Sequence, residues 1–317
     1  MDAGSRPTWL LEASEMSSSK GRVRVAAIQQ DARASDPRAN LADLLKSIDE
    51  GAKGGVDYIV ATELSLTPYF CIEKSSPEYR KWAETLEGES VAAVAAKARE
   101  HHATIIFPFY RRDEEDGQFF NSAVVIGPDG NIVKGQLPGG GDRVPCFDKV
   151  HLPKIQTESL DTDETSHFAS GTSFPTFDTE KARIGVLICY DRRFPEAWRT
   201  LALGGAEIVF LPGCIPAWEP TSASSSAEMF VAELRTRALE NTIFLVSCNR
   251  GGFEPLGAKR TLFFGESCVI GPGGTVVASG LANAPCIVRA TVDLGELAEM
   301  RKRLPLLTDR KPEAYSY

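Results

Sequence analysis

One stretch decides the fold of this chain: Arg183-Ile-Gly-Val-Leu-Ile-Cys189-Tyr-Asp-Arg192-Arg193-Phe-Pro195-Glu-Ala-Trp-Arg199. Its branched apolar run predicts a buried strand, and Pro195 suits the first turn of the helix that follows. Cys189 would then lie where the strand ends, at the sheet edge where open α/β folds bind ligands. A thiol at such a turn can be activated by a nearby base and by helix-end N–H groups. The alternative is a packed cysteine, because free cysteine is among the most buried residue types.

Strand-like and helix-like segments alternate on both sides of this stretch. Apolar runs predict strands at 23–30, 57–64, 103–110, 119–127, 183–189, 207–213, 242–249, 263–270 and 287–293. Helical spacing predicts helices at about 40–53, 89–101, 195–203 and 226–240. Each half of the chain has the order strand, helix, strand, helix, strand and hairpin. We therefore expect an α/β fold of two mixed sheets covered by helices, with pseudo-symmetric halves.

Two further segments place a charged side chain beside an apolar run. Tyr58-Ile-Val-Ala-Thr-Glu63-Leu carries a carboxylate, and Phe147-Asp-Lys149-Val-His151-Leu-Pro153 carries an ammonium. With Cys189 they give the chain order Glu, Lys, Cys, and the chain resembles the nitrilase, or carbon–nitrogen hydrolase, superfamily over roughly residues 22–300. The stretches that carry the resemblance are Glu63-Leu-Ser-Leu-Thr-Pro-Tyr69, Asn121-Ser-Ala-Val-Val-Ile-Gly-Pro-Asp-Gly130, Lys149-Val-His-Leu-Pro153, Cys189-Tyr-Asp-Arg-Arg-Phe-Pro-Glu196, Arg237-Ala-Leu-Glu-Asn241, Asn249-Arg-Gly251, Phe264-Gly-Glu-Ser267 and Gly271-Pro-Gly-Gly274.

The resemblance makes the architecture more specific. It implies a four-layer αββα sandwich with the site at one end of the two sheets, formed by a carbon–nitrogen hydrolase domain at 21–300. It also implies a homodimer or homotetramer, and the C-terminal tail at 301–317 is expected at the interface between subunits. Residues 1–20 lack the basic start and apolar core of a signal peptide, so we interpret them as a disordered extension.

The three motif residues have the chemistry needed to hydrolyse an amide or ureido C–N bond. Cys189 would be the nucleophile, and Glu63 would take the thiol proton, deliver it to the departing amine or ammonia, and activate water. Lys149 would hold the oxyanion, with the backbone N–H of Tyr190 as a second donor. Considered singly, Glu63 is better explained as a surface carboxylate and Lys149 as a solvated loop charge. Only their order within matching motifs favours catalysis.

A second glutamate is a further candidate for the catalytic site. The resemblance allows Glu164 to be aligned as a residue that positions Lys149 and the substrate nitrogen. The alternative is a solvated acidic loop, because other acids lie close by in the sequence, namely Glu158, Asp161 and Asp163.

Substrate choice is assigned to residues around the nucleophile. Arg192 and Arg193 could form a bidentate fork for a carboxylate, or one of them could brace the turn by pairing with an acid. His151 shares a face with Lys149 on an extended segment and could line the pocket, although a hydrogen-bonded structural histidine fits equally. The Cys-x-Asp-Arg-Arg pattern is most similar to the N-carbamoyl-D-amino acid amidohydrolase branch. That branch implies a ureido acid cleaved to an amino acid, carbon dioxide and ammonia.

One insertion departs from the family pattern. Gln136-Leu-Pro-Gly-Gly-Gly-Asp-Arg-Val-Pro-Cys146 precedes the lysine motif, where relatives have only a residue or two. Its glycines and prolines predict a flexible flap over the pocket, and Cys146 would be a second reactive thiol or a packed one. Three other functions therefore stay open: ω-amidase, another aliphatic amidase, and nitrilase. A non-catalytic scaffold is disfavoured because Glu63, Lys149 and Cys189 are all present.

Composition excludes several classes of function. The net charge of −8 and the dispersed basic residues argue against a nucleic-acid surface, and no apolar stretch approaches the ~20 residues that span a bilayer. Seven irregularly spaced cysteines are typical of a reduced, cytoplasmic protein rather than a disulfide framework. With four histidines and no Cys-x-x-Cys or His-x-x-x-His, no metal site is predicted, and nothing indicates a cofactor. The expected partner is a small-molecule substrate.

Overall fold

The computed structural model describes residues 21–315, apart from 32, 157–160, 218–222 and 257–258. The predicted extension at 1–20 lies outside the described residues. The helices are α1 (Pro37–Ala52), α2 (Pro77–Arg80), α3 (Glu89–His101), α4 (Pro195–Leu203), α5 (Ala223–Asn241) and α6 (Leu294–Arg303). The strands are β1 (Arg22–Gln29), β2 (Tyr58–Val60), β3 (Thr104–Arg112), β4 (Phe119–Ile126), β5 (Gly135–Gln136), β6 (Arg143–Val144), β7 (Phe147–Asp148), β8 (Lys154–Gln156), β9 (Asp161–Asp163), β10 (Thr176–Asp178), β11 (Arg183–Val186), β12 (Ile208–Gly213), β13 (Phe244–Asn249), β14 (Gly251–Leu256), β15 (Lys259–Phe264), β16 (Cys268–Ile270), β17 (Val276–Ser279) and β18 (Cys286–Asp293).

Most strands belong to two mixed sheets. The first sheet has the order β18-β1-β2-β3-β4-β7, and the second has the order β17-β16-β13-β12-β11-β10-β5-β6. In the first sheet β1, β2 and β3 are parallel, and in the second β11, β12 and β13 are parallel, with antiparallel strands on both flanks. Each parallel trio is connected through helices, so the two halves repeat one pattern. The predicted pseudo-symmetric arrangement is confirmed.

The two sheets pack face to face between two layers of helices. Val25 and Ile28 lie on opposite faces of β1 and belong to different cores, as the two-residue period of a strand requires. Val25 lies in the core that includes Phe210 of the second sheet, whereas Ile28 packs with α1 and α3. On the other side Trp198 of α4 and Leu234 of α5 cover the second sheet. The four-layer αββα sandwich predicted from the resemblance is therefore confirmed.

Backbone conformation explains two differences from the predicted strand boundaries. β11 ends at Val186, and Cys189 begins a 3₁₀ turn with a φ of +49°, so the thiol lies beyond the strand. The strand predicted at 263–270 is divided into β15 and β16. Gly265 and Glu266 have φ values of +71° and +58°, and two consecutive residues of positive φ interrupt the extended backbone between β15 and β16. A positive φ at Glu266, which is not glycine, has no sequence signature.

The insertion before the lysine motif is paired into a sheet. β5 and β6 form a hairpin on the edge of the second sheet, and the turn between them contains the left-handed Gly139, Gly140 and Gly141. Cys146 is only 5% exposed and packs with the helix-side core of the first sheet. Burial raises the pKa of its thiol, with Asp148 acting in the same direction. The structure thus corrects the predicted flap to an edge hairpin and assigns Cys146 as a packed thiol.

The C-terminal segment leaves the core after α6. Leu297 is buried, whereas Leu304 and Leu306 are exposed and Leu307 contacts the main core. The role of 301–317 in a homodimer or homotetramer stays a prediction. Among the described helices, none has the length and apolar character required to cross a bilayer. The cytoplasmic location also stays a prediction.

Candidate active site

The turn that carries Cys189 is held by an aspartate buried beneath it. Asp191 Oδ2 accepts a hydrogen bond from the Ile188 N–H at 3.1 Å. Its Oδ1 accepts from the His151 N–H at 2.9 Å and contacts His151 Nδ1 at 2.8 Å. These bonds tie the segment after β11 to the segment that carries Lys149. Cys189 is 6% exposed, so its sulfur lies at the bottom of the site rather than on the surface.

Glu63 is fixed by donors from both sheets. Its Oε1 accepts from Asn121 Nδ2 at 2.7 Å and from Lys149 Nζ at 2.7 Å, and its Oε2 accepts from the Cys214 N–H at 2.8 Å. Glu63 and Lys149 follow β2 and β7 of the first sheet, whereas Cys189 and Cys214 follow β11 and β12 of the second. The cluster is therefore assembled across the interface between the sheets.

Lys149 lies between two carboxylates. Its Nζ is 2.7 Å from Glu63 Oε1 and 2.8 Å from Glu164 Oε1, and none of the three side chains is exposed to solvent. Glu164 Oε1 also accepts a hydrogen bond from the Tyr69 hydroxyl at 2.9 Å. The neighbouring Asp163 instead pairs with Lys154 at the surface. The geometry thus places Glu164, rather than Asp163, beside Lys149.

Electrostatics set the resting protonation of the cluster. Burial, together with the negative charge of Glu63, raises the pKa of Cys189 to about 12, so the thiol is protonated at neutral pH. Burial would raise the pKa of Glu63, but the Lys149 ammonium and hydrogen bonds from Asn121 and Cys189 hold it below its ordinary value. Burial raises the pKa of Glu164 to about 7, although Lys149 opposes the shift. Glu63 is therefore an ionised base that faces a protonated thiol.

This arrangement can carry out nucleophilic hydrolysis. The Glu63 carboxylate can receive the proton of Cys189 as the sulfur attacks an electrophilic carbon. Carboxylates on both sides raise the pKa of Lys149 despite its burial, so its ammonium stays charged and can stabilise an oxyanion in a water-poor pocket. Loss of one such donor typically reduces the rate by ~10²–10³-fold.

The two arginines are not a free fork. Arg192 Nε is 3.2 Å and Arg193 Nη1 is 3.1 Å from the same oxygen, Glu233 Oε2 on α5. The Arg192 side chain is 4% exposed, and its Nη1 donates to the Cys189 carbonyl at 3.0 Å. Arg192 thus has the bracing role that was the alternative in the sequence prediction. Arg193 is 30% exposed and is the guanidinium still accessible beside the turn.

His151 and Tyr190, the two remaining predicted residues, both contact the ring of Phe194, beside the turn that carries Cys189. The His151 ring stacks on Phe194 with centroids 3.5 Å apart, and Tyr190 meets Phe194 edge-on at 5.5 Å. His151 is therefore a hydrogen-bonded histidine, as the alternative prediction had it, and its contribution to the substrate pocket stays a prediction. The proposed oxyanion role of the Tyr190 N–H stays a prediction.

The structure adds site residues that were not given a role from sequence. Asn121 and Tyr69 lie within quoted motifs, but a motif alone does not indicate which side chain its members contact. Cys214 contributes through its backbone N–H, which any residue would supply. Glu233 lies on α5, far along the chain from Arg192, and no local pattern pairs them. Only the packing of α5 against the turn reveals this contact.

A small histidine–acid cluster is the candidate considered for a metal ion. Asp49, Glu100 and His101 bring ligand atoms within 4.8 Å of one another on α1 and α3. However, Lys97 Nζ lies 2.6 Å from Asp49 and 2.9 Å from Glu100, so an ammonium already contacts both acids and offsets one of their two negative charges. Repulsion from this cation disfavours a metal ion there.

A buried Glu–Lys–Cys cluster at one end of an αββα sandwich defines a class of enzymes that hydrolyse carbon–nitrogen bonds. The chain belongs to the carbon–nitrogen hydrolase family, whose sequence model matches residues 24–302. It is an enzyme of this family, whose members act on amides and ureido compounds.

Curated relatives and a solved structure agree with this assignment. The chain is 29% identical to citrullinase from Francisella tularensis over 92% of this chain and 96% of that protein. It is 27% identical to N-carbamoylputrescine amidase from Solanum tuberosum, covering 93% of this chain and 95% of the relative. The crystal structure of a carbon–nitrogen hydrolase from Helicobacter pylori matches with a TM-score of 0.80 at 27% identity, covering 93% of this chain and 97% of that one.

Proposed function

We propose that this enzyme hydrolyses a small ureido acid, an N-carbamoyl amino acid, through a covalent intermediate on Cys189. The observation that carries the substrate class is the charge beside the nucleophile. Arg192 and Arg193 share the single carboxylate of Glu233, which leaves one net positive charge, and Arg193 is partly exposed. A substrate carboxylate would complete this cluster. Two relatives, citrullinase and N-carbamoylputrescine amidase, are named for compounds that contain a carbamoyl group.

The first half of the reaction forms the covalent intermediate. Glu63 takes the Cys189 proton as the sulfur attacks the carbamoyl carbon, and the Lys149 ammonium stabilises the oxygen that becomes negative. Glu63 returns the proton to the departing ammonia or amine, the C–N bond breaks, and a thiocarbamate on Cys189 remains. Glu164, next to Lys149, would position the ammonium and the substrate nitrogen.

The second half of the reaction consumes water. Glu63 removes a proton from water, hydroxide adds to the thiocarbamate carbon, and the C–S bond breaks with return of the proton to sulfur. The product is a carbamic acid, which loses carbon dioxide to leave whichever of the amine and ammonia did not depart in the first half. Ammonia and carbon dioxide are thus released in equal amounts with the amino acid.

Product analysis tests the substrate class. We expect N-carbamoyl-D-amino, N-carbamoyl-L-amino or β-ureido acids to release ammonia and carbon dioxide in equal amounts, measured by an enzymatic ammonia assay and by carbon dioxide capture. An ω-amide or a nitrile would release ammonia without carbon dioxide through the same Glu–Lys–Cys cluster. If those compounds are turned over and every ureido acid is inert, the ureido-acid proposal is wrong.

The exposed arginine gives a second test. We expect Arg193→Gln to raise KM for the ureido acid and to lower kcat/KM roughly 30-fold. This corresponds to a loss of about 2 kcal/mol of transition-state stabilisation, because a charge-assisted contact is lost. The kcat and the reaction of Cys189 with a small neutral thiol reagent should change little. The penalty should shrink for the corresponding amide or ester, which lacks the carboxylate.

A matched variant isolates this effect. Arg183 also has 31% of its side chain exposed and pairs with one acid, Asp178, but it lies at the opposite end of β11. Arg183→Gln should leave both kinetic constants unchanged. Equal losses of Arg193→Gln on acid and neutral substrates would mean that Arg193 only braces the turn.

A further inference from the structure

Arg250 is a fully buried cation that the reaction scheme does not use. It belongs to the Asn249-Arg-Gly251 motif, between β13 and β14. Its Nη2 donates to three backbone carbonyls, Glu63 O at 3.1 Å, Leu64 O at 3.0 Å and Thr67 O at 3.1 Å. These carbonyls belong to the turn that carries the catalytic carboxylate. Leu64 has a φ of +49°, a conformation that an L-residue adopts only when its surroundings hold it there.

The partner of Arg250 reaches the second carboxylate. Arg250 Nη1 is 2.5 Å from Glu254 Oε2, and both side chains are buried. Glu254 Oε1 accepts the Tyr69 N–H at 2.6 Å. The hydroxyl of the same tyrosine donates to Glu164 Oε1 at 2.9 Å. One ion pair therefore contacts the Glu63 turn directly and Glu164 through Tyr69.

We propose that the Arg250–Glu254 pair is a positioning device that sets both carboxylates on either side of Lys149. This inference rests on the proposed cysteine hydrolase function. A planar guanidinium can bind a carboxylate on one edge while another nitrogen bridges three carbonyls, whereas an ammonium is a point donor. A buried ion pair often contributes little net stability, so a requirement for orientation explains it better than folding alone.

Displacement of this turn would move the base away from the thiol. A displacement of about 1 Å in a reacting group can cost roughly 10²-fold in rate. Glu63 has to meet Cys189, Lys149 and the Cys214 N–H at once, so a looser turn would break at least one of these contacts. The proposed substrate contact of Arg193 belongs to a different segment, which pairs with Glu233 on α5, and would be retained.

The experiment compares two arginine-to-lysine changes in the same buried cluster. Arg33 is buried, its backbone N–H donates to Glu254 Oε2, and its Nε donates to Asp31 O. Arg33 makes none of the contacts to the Glu63 turn that Arg250 makes. We expect Arg250→Lys to lower kcat about 30-fold with KM within about threefold, and Arg33→Lys to stay within about threefold in both.

A second readout needs no substrate. Alkylation of Cys189 by iodoacetamide at neutral pH, followed on its peptide by mass spectrometry, depends on proton removal by Glu63. It should slow about tenfold in Arg250→Lys and not in Arg33→Lys. Because this rate does not involve the substrate, it tests the positioning proposal even if the ureido-acid assignment is wrong.

The outcomes are decisive in each direction. A slower alkylation and a lower kcat in folded Arg250→Lys support positioning. Unchanged alkylation and kcat in Arg250→Lys, or equal losses in Arg33→Lys, overturn it. If Arg250→Lys does not fold, Glu254→Gln replaces it, and its kcat and alkylation rate are interpreted in the same way. This variant removes the charge that orients Arg250 but keeps an acceptor for the Tyr69 N–H.

Discussion

Cys189→Ala is expected to lower turnover by at least about 10⁴-fold while the protein stays folded, because the covalent route has no other nucleophile. Alanine removes only the sulfur, and the turn keeps the hydrogen bonds that the Asp191 carboxylate accepts from the Ile188 and His151 N–H groups. Circular dichroism and thermal unfolding should match the wild type. Cys189→Ser should be equally inactive, because a hydroxyl is far harder to deprotonate than a thiol.

A buried cysteine elsewhere provides the control. Cys268 is buried and belongs to the same hydrophobic core as Cys189, but it lies within β16, where it pairs with Ser247 of β13. Cys268→Ala should keep most of the activity and lose only stability. Mass spectrometry of wild-type enzyme quenched during turnover should find the added mass on the Cys189 peptide. More than a few per cent of wild-type activity in Cys189→Ala would rule out the covalent mechanism.

Glu63→Gln is expected to lower kcat by about 10³–10⁴-fold at neutral pH, because glutamine cannot accept the thiol proton. The remaining activity should increase with pH. Without a base, the reactive fraction is the spontaneous thiolate, which rises about tenfold per pH unit below the thiol pKa. The wild-type rate should lack this dependence near neutral pH, since Glu63 is already ionised there.

Glu164→Gln is the comparison for this variant. Its carboxyl has a pKa of about 7, so an uncharged form is already populated at neutral pH, and glutamine imitates that form. We expect a loss of about 10- to 100-fold without the pH dependence, because Cys189 keeps its base. Equal losses and equal pH profiles in the two variants would mean that Glu63 is not the base.

The elements were predictable because each depends on local sequence, and the main cluster was predictable because its three residues lie in order within motifs of the resembled family. The helix at 89–101 has the bounds predicted from its apolar spacing, and β11 and α4 follow from the apolar run and Pro195. Glu63, Lys149 and Cys189 each end an apolar run or adjoin one. In a fold of this class such ends converge at one edge of the sheets.

The remaining features depend on contacts between distant segments. Glu164 and Asp163 are indistinguishable acids in sequence, and only packing buries one and exposes the other. Both arginines could have faced the substrate, but both pair with Glu233 on α5, and only Arg193 stays partly exposed. The predicted flap failed because a glycine-rich turn is compatible with either a mobile loop or a hairpin. In the structure β5 pairs with β10, which makes the segment a hairpin at the edge of the sheet.

The catalytic pair is divided between the two sheets, which has a consequence for variation in the protein interior. Glu63, the base, follows β2 in the chain, and Cys189, the nucleophile, follows β11. The distance between them is therefore set by how the two sheets pack against each other. Tyr58 of β2 packs against Phe210 of β12 between the sheets, with ring centroids 5.4 Å apart. A substitution at that contact can misalign the reacting atoms without touching the site. The rate of turnover thus depends on how the two sheets are aligned, and catalysis constrains side chains between the sheets that lie outside the Glu–Lys–Cys cluster.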